Sequence, residues 1–238
     1  MCTLTYLPTT NGFALASSRD EMRDRGSMAR PDHNVLLRAL YPVDERSGGT
    51  WILTSAAGFS VNLLNGGHVR HLPGGRYRHS RGLVPLLFAE AGSIDGFMRS
   101  FDPGDIEPFT LVVIVHTPRM ATSIVWTGMT LERFDHAPDT PCIWSSSTLY
   151  DERMKAEREQ WFFEAIAQND ARPGVERLID FHLNGGIGKA PISYTIRMAR
   201  ERGPETICLT GITYSDTEWA MCYYDLVADA KRTLRMIG

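Results

Sequence analysis

Four short alternating runs fall within the first sixty-five residues, and the connections between them are too short for helical crossovers. Parallel neighbours need a crossover of a dozen or more residues, so such a chain builds an antiparallel sheet. Residues 2–7 alternate around β-branched threonines, Thr9-Thr10-Asn11-Gly12 supplies an Asn-Gly turn, and residues 13–17 return. A polar stretch, 18–32, follows. Gly48-Gly49 then leads into runs at 51–55 and 59–64, joined by Ala56-Ala57-Gly58.

Beyond them, a glycine-rich basic loop at 66–82 precedes expected helices at 83–91 and 94–101. Strands are expected at 109–116 and 123–134. The strongest helical periodicity lies at 151–168, where Met154, Trp161, Phe162, Ala165 and Ile166 make an apolar stripe opposite charged residues. Thr148 with Asp151 reads as its capping pair. A helix at 175–183 stops at Gly185-Gly186, and a hairpin of 206–213 with 219–226 closes the chain. Two antiparallel sheets packed face to face with helices outside satisfy this order, as one domain over residues 1–238.

The formal net charge of −3 argues against nucleic acid as the main partner, because binding phosphates needs clustered cations. The longest apolar run, 111–115, is far below the roughly 20 residues that cross a bilayer. The first residues carry neither a basic region nor an apolar one of the secretory kind. Cys2, Cys142, Cys208 and Cys222 are too scattered for a disulfide scaffold and form no CxxC pair. These features predict a soluble cytoplasmic protein, with the last three cysteines buried in strands or loops.

Cys2 stands behind the initiator methionine, and removal of Met1 would leave a thiol and an α-amine on one residue. An amine of pKa about 8 beside a thiol of about 8.5 is a built-in base. If the first hairpin closes, the end of its second strand brings Arg19 and Asp20 toward Cys2. A guanidinium there lowers a thiol pKa, and a carboxylate can hold the amine. The competing reading is a solvated turn, since residues 18–25 are dense in charge.

Met1-Cys2-Thr3, Ser18-Arg19-Asp20-Glu21, Gly48-Gly49-Thr50-Trp51, residues 61–65 and residues 80–84, in that order, resemble the NRDE (transport and Golgi organization protein 2-like) family. The likeness is clearest over about the first 60% of the chain, and Ser18 stands where the family name has Asn. That family is similar to the N-terminal-nucleophile (Ntn) hydrolases that use a terminal cysteine to cleave amides. The resemblance implies an α+β, four-layer αββα sandwich with two antiparallel sheets. It casts Cys2 as nucleophile, Arg19 as the thiol-side guanidinium, Asp20 as the amine-holding carboxylate and Asn65 as an oxyanion donor. Ser146 stands nearest the position of a second donor Asn, and Glu205, with Arg202 displaced nearby, stands where those enzymes carry Arg.

Two other clusters stand out. His68, His71 and His79 lie among Arg70, Arg76, Arg78 and Arg81. Their spacing matches no standard metal site; an anion-binding loop and a solvated mobile loop are both open. Gly185-Gly186-Ile187-Gly188-Lys189 lacks phosphate-loop spacing and reads as a helix stop. Trp51, Trp126, Trp144, Trp161 and Trp219 read as core or pocket wall.

The expected function is a cytoplasmic amidohydrolase, without cofactor or metal, cleaving a non-peptide C–N bond of a small acyl-amide through an acyl-enzyme. The alternative keeps the fold as a binding or trafficking protein for a lipid, acyl-thioester or haem-like ligand. It draws on the family's association with membrane and lipid homeostasis.

Overall fold

The computed structural model describes residues 2–22, 29–34, 36–71, 74, 77–168 and 171–236. They form two compact units. The first comprises those within 1–27, 139–145 and 150–237; the second takes those within 28–138 and 146–149.

The first unit holds a six-stranded antiparallel sheet. Its strands are β1 (Cys2–Thr9), β2 (Gly12–Glu21), β10 (Cys142–Ser145), β11 (Glu205–Ser215), β12 (Trp219–Asp225) and β13 (Ala230–Arg235). The order is β10-β1-β2-β11-β12-β13, so β1 is paired on both sides. Two helices, α3 (Glu152–Ile166) and α4 (Gly174–Asn184), complete it. Trp161 and Phe162 of α3 and Leu178, Ile179 and Phe181 of α4 form one core with Leu7, Ala14, Ala16 and Leu209 of the sheet. Strand side chains alternate between faces, so this core marks the helix-covered face.

The first turn spans Thr9–Gly12 as expected, but its centre is not the Asn-Gly pair. Thr9 pairs with Gly12, leaving Thr10-Asn11 as the turn. Gly12 instead permits close strand packing, since a Cβ there would meet the Tyr214 carbonyl oxygen of β11 at 1.9 Å. The polar stretch after residue 17 is also partly strand, because β2 runs on to Glu21.

The second unit is a seven-stranded antiparallel sheet in chain order. It contains β3 (Ala29–Asn34), β4 (Ala39–Asp44), β5 (Ile52–Ser55), β6 (Phe59–Asn65), β7 (Phe109–Val115), β8 (Met120–Trp126) and β9 (Leu131–His136). Strands β3 and β4 escape the sequence pattern because proline interrupts both; β3 is an edge strand, where a missing N–H is tolerated. The run at 123–134 is two strands, split at a turn where Gly128 has φ 96°. Helices α1 (Val84–Ala91) and α2 (Ile94–Ser100) are separated by left-handed Gly92 (φ 71°), and Ser93 caps α2. Their Val84, Phe88, Ile94 and Phe97 share a core with Leu53, Val61, Phe109 and Trp126.

Other differences are local. Asp151, not Thr148, caps α3, accepting from the Met154 amide at 2.8 Å. Strands β10 and β13 were not expected; β13 is largely exposed and lacks an apolar alternation. Helix α4 does stop at Gly185, and Gly186 (φ 82°) lets the chain pass the Trp161 ring, which a Cβ would strike at 2.4 Å. Among the described residues no helix is long and apolar enough to cross a membrane.

Candidate active site

Cys2 is the register partner of Arg19 across β1 and β2, and Arg19 is the partner of Cys208 across β2 and β11. Cys208 in turn faces Asp225 on β12. Arg19 is 6% exposed, far from the solvated position of an ordinary charged turn. Cys208 is fully buried, whereas Cys142 and Cys222 are half-buried; all three lie in strands and none is in a disulfide among the described residues. Met1 lies outside the described residues.

Asp20 belongs to the opposite, helix-covered face, the same parity as Ala14 and Ala16. Its carboxylate is fully buried. It accepts a hydrogen bond from the Tyr150 hydroxyl on Oδ2 (2.5 Å) and from Thr206 Oγ1 on Oδ1 (2.7 Å). Burial raises the Asp20 pKa above its ordinary value, while those two hydrogen bonds and the nearby Arg158 oppose the rise. Tyr150 is held protonated, its pKa pushed up first by burial and then by the Asp20 charge.

A bulge arranges this division. Asp20 pairs with Thr206 and Arg19 with Cys208, so Ile207 is the extra residue on β11. In regular alternation Thr206 and Cys208 would share a face; the bulge instead puts Thr206 with Asp20 and Cys208 with Arg19.

Arg158 lies beneath the carboxylate network and is 0% exposed. It donates from Nη1 to Thr3 Oγ1 (2.8 Å), from Nη2 to the Thr195 carbonyl (2.6 Å) and from Nε to the Tyr194 carbonyl (3.3 Å). Its guanidinium carbon is 3.6 Å from the Tyr150 ring centroid, a cation–π contact. Sequence reasoning missed Tyr150, Arg158 and Thr206. Nothing local distinguishes Arg158 from Arg153, which is exposed and paired with Glu157 on the same helix.

In the second unit, Asn65 ends β6 and its main-chain carbonyl accepts from Ser146 Oγ at 2.6 Å. Ser146 is buried and also bonds to Thr148 Oγ1 at 2.9 Å. The two expected oxyanion donors are thus adjacent. Glu205 begins β11, opposite Glu21; Arg202 lies in the preceding turn.

The His/Arg loop is tied down by carboxylates. His68 meets Glu132 at 2.9 Å, Arg78 meets Asp102 at 2.6 Å, and Glu107 receives both Arg81 (3.0 Å) and His71 (3.4 Å). The pairing of Arg78 and Arg81 with carboxylates weakens the anion-binding reading. Arg76 lies outside the described residues. Among the described residues no group of three His, Cys, Asp or Glu side chains is placed to hold a metal.

The sequence profile of the Transport and Golgi organisation 2 family matches residues 1–213. The chain belongs to this family. Membership confirms the NRDE resemblance and extends it well past the motifs that first carried it. No curated protein matches the chain at a significant level.

Solved structures give this family member its fold. A cysteine-to-alanine mutant of the conjugated bile acid hydrolase from Clostridium perfringens is 10% identical over 99% of this chain and 92% of that one, with a TM-score of 0.54. An arginine-to-leucine variant of the same enzyme has the same identity and coverage, with a TM-score of 0.53. The Caenorhabditis elegans ortholog of N-acylethanolamine-hydrolyzing acid amidase is 9% identical over 89% of this chain and 92% of that one, with a TM-score of 0.55. The chain therefore has the α+β fold of the Ntn hydrolases, with its strands in two antiparallel sheets.

Proposed function

We propose that this family member is a cytoplasmic N-terminal cysteine amidohydrolase acting on small acyl-amides, with residues 1–238 as one domain. The interleaving of both units along the chain supports the single domain. The register pairing of Cys2 with a buried arginine carries the functional reading. A guanidinium confined beside a thiol favours the thiolate. The thiolate adds to the amide carbonyl, and the tetrahedral adduct collapses to a thioester as the C–N bond breaks and the leaving nitrogen takes a proton from the α-ammonium of Cys2. Water then cleaves the thioester, aided by the α-amine as base, and returns the free thiol with a carboxylic acid.

Asp20 enters as the carboxylate that orients the amine. Asn65 and Ser146 enter through their likeness to the family's oxyanion donors. The solved neighbours are enzymes whose names describe hydrolysis of a conjugated bile acid and of N-acylethanolamines, which supports a linear acyl-amide substrate. The second reading, a non-catalytic binder of a lipid, acyl-thioester or haem-like ligand, is favoured by one observation. The Ser146 hydroxyl is already committed to a main-chain carbonyl, and losing one oxyanion donor costs about 10²–10³ in rate.

Intact mass, stoichiometric thiol labelling and a panel of acyl-amides, run on wild type and Cys2→Ala, separate the two. The catalytic reading expects loss of Met1, rapid labelling of Cys2 and turnover abolished in the variant. Retained Met1 with a sluggish thiol and no turnover overturns it in favour of the binder.

A further inference from the structure

We infer that a cleft on the first unit, between the end of α4, residues 192–199 and the start of β11, binds a small amphiphilic anion: an alkyl or aryl carboxylate. The cleft has a volume of about 330 Å³, at the small end of the range for ligand pockets. It does not depend on the catalytic reading.

Its walls are apolar where they should be wet. Ile187 is 62% exposed, Ile192 64% and Val227 42%, and all three line this cleft. Ile187 and Ile192 come from the connection between α4 and β11, and Val227 from the turn after β12, so two distant parts of the chain meet here. Large apolar side chains scattered singly over a surface need no explanation, but several converging on one concavity mark a binding surface.

The polar groups of the lining are mostly committed. Thr195 Oγ1 is engaged with the carbonyls of Ile192 and Arg197. Thr206 Oγ1 donates to Asp20 and receives the Met198 amide, and Asn184 Nδ2 donates to Asp180. Among the described residues, Arg197 of the lining is exposed and its guanidinium has no carboxylate partner. A cation held over apolar walls selects a ligand with an anionic head and a hydrocarbon body, and a guanidinium suits a carboxylate best.

The wall is also built in advance. Arg158, buried beneath it, holds the carbonyls of Tyr194 and Thr195 from below, and the Ile196 amide is fixed to the Gly185 carbonyl at 3.0 Å. A segment clamped this way does not have to be ordered by the ligand, which lowers the cost of binding. Glu205 is the one carboxylate of the lining, and its charge opposes an anion.

The test is calorimetric titration of the full chain with sodium octanoate, with octylammonium chloride as the charge-reversed probe. Saturable octanoate binding at least tenfold tighter than octylammonium is expected. Arg197→Gln should weaken it at least tenfold, Glu205→Gln should tighten it, and Cys2→Ala should leave it unchanged. Circular dichroism of each variant checks that it is folded. Equal binding of the two probes, no saturable binding, or an Arg197→Gln affinity equal to wild type overturns the inference. Loss of octanoate binding in Cys2→Ala also overturns it, by placing the ligand at the thiol.

Discussion

The Arg158 guanidinium carbon stands 3.6 Å from the centre of the Tyr150 ring, while the hydroxyl of that ring is donated to Asp20. One tyrosine therefore touches a buried cation with its face and a buried anion with its edge. The two charges compensate each other through it, with no direct ion pair between them among the described residues. Removing one charge of a buried pair leaves the other uncompensated, which typically costs about 3–5 kcal/mol.

That arrangement makes Tyr150→Phe a selective probe. The ring and its stack on Arg158 remain, but Asp20 loses one of its two hydroxyl donors. A buried acceptor stripped of a partner costs about 1–3 kcal/mol. Urea unfolding should show a loss in that range, and the Asp20 pKa, read by carboxyl NMR, should rise further.

Arg158→Lys should behave as a severe substitution despite keeping the charge. One ammonium cannot reproduce a planar fork that donates to Thr3, Tyr194 and Thr195 together. A loss of stability of about 2 kcal/mol or more is expected. The 194–195 segment, no longer clamped, should show faster amide exchange than the rest of the unit.

Acid should destabilise the protein well before its carboxylates titrate. Burial depresses His182 to about 3 and His116 to about 4, from an ordinary value of 6.5. Both stay neutral in the folded chain while the unfolded chain takes up protons, so their contribution is present above pH 6.5 and is lost as pH falls toward those values. Each histidine contributes a slope approaching 1.4 kcal/mol per pH unit in that window. Asp20, with its raised pKa, acts in the opposite sense. Denaturant midpoints measured from pH 7 to pH 5 should fall, and His182→Asn should flatten the fall if it folds.

Gly12→Ala should cost far more than its helix or turn propensity suggests. The new methyl carbon would start 1.9 Å from the Tyr214 carbonyl oxygen, so β2 and β11 must separate there. Backbone displacement of this kind costs about 1–3 kcal/mol. Asn11→Ala, in the turn itself, serves as the milder comparison in the same thermal melt.

The chemistry nearest the chain's beginning was readable because it is local. A hairpin places Cys2 across from Arg19 with only a turn to specify, and alternation and turn residues specify it. What escaped is what depends on distant partners. Arg158 is buried by the carbonyls of a loop some 36 residues further on, and no pattern within α3 announces it. Strands β3 and β13 are edge strands, and β13 is largely exposed. They lack the apolar alternation by which a sequence declares a strand. The face on which Asp20 lies followed from parity alone, but its second donor depended on a bulge in β11.

That single surplus residue also says what the site is most sensitive to. If Ile207 were drawn into regular pairing opposite Asp20, Thr206 would shift opposite Glu21, and its hydroxyl would turn away from the carboxylate toward the arginine side. The carboxylate's surroundings are thus encoded partly by strand register. A slip of one position, with no amino acid changed, would rewrite them more thoroughly than most substitutions.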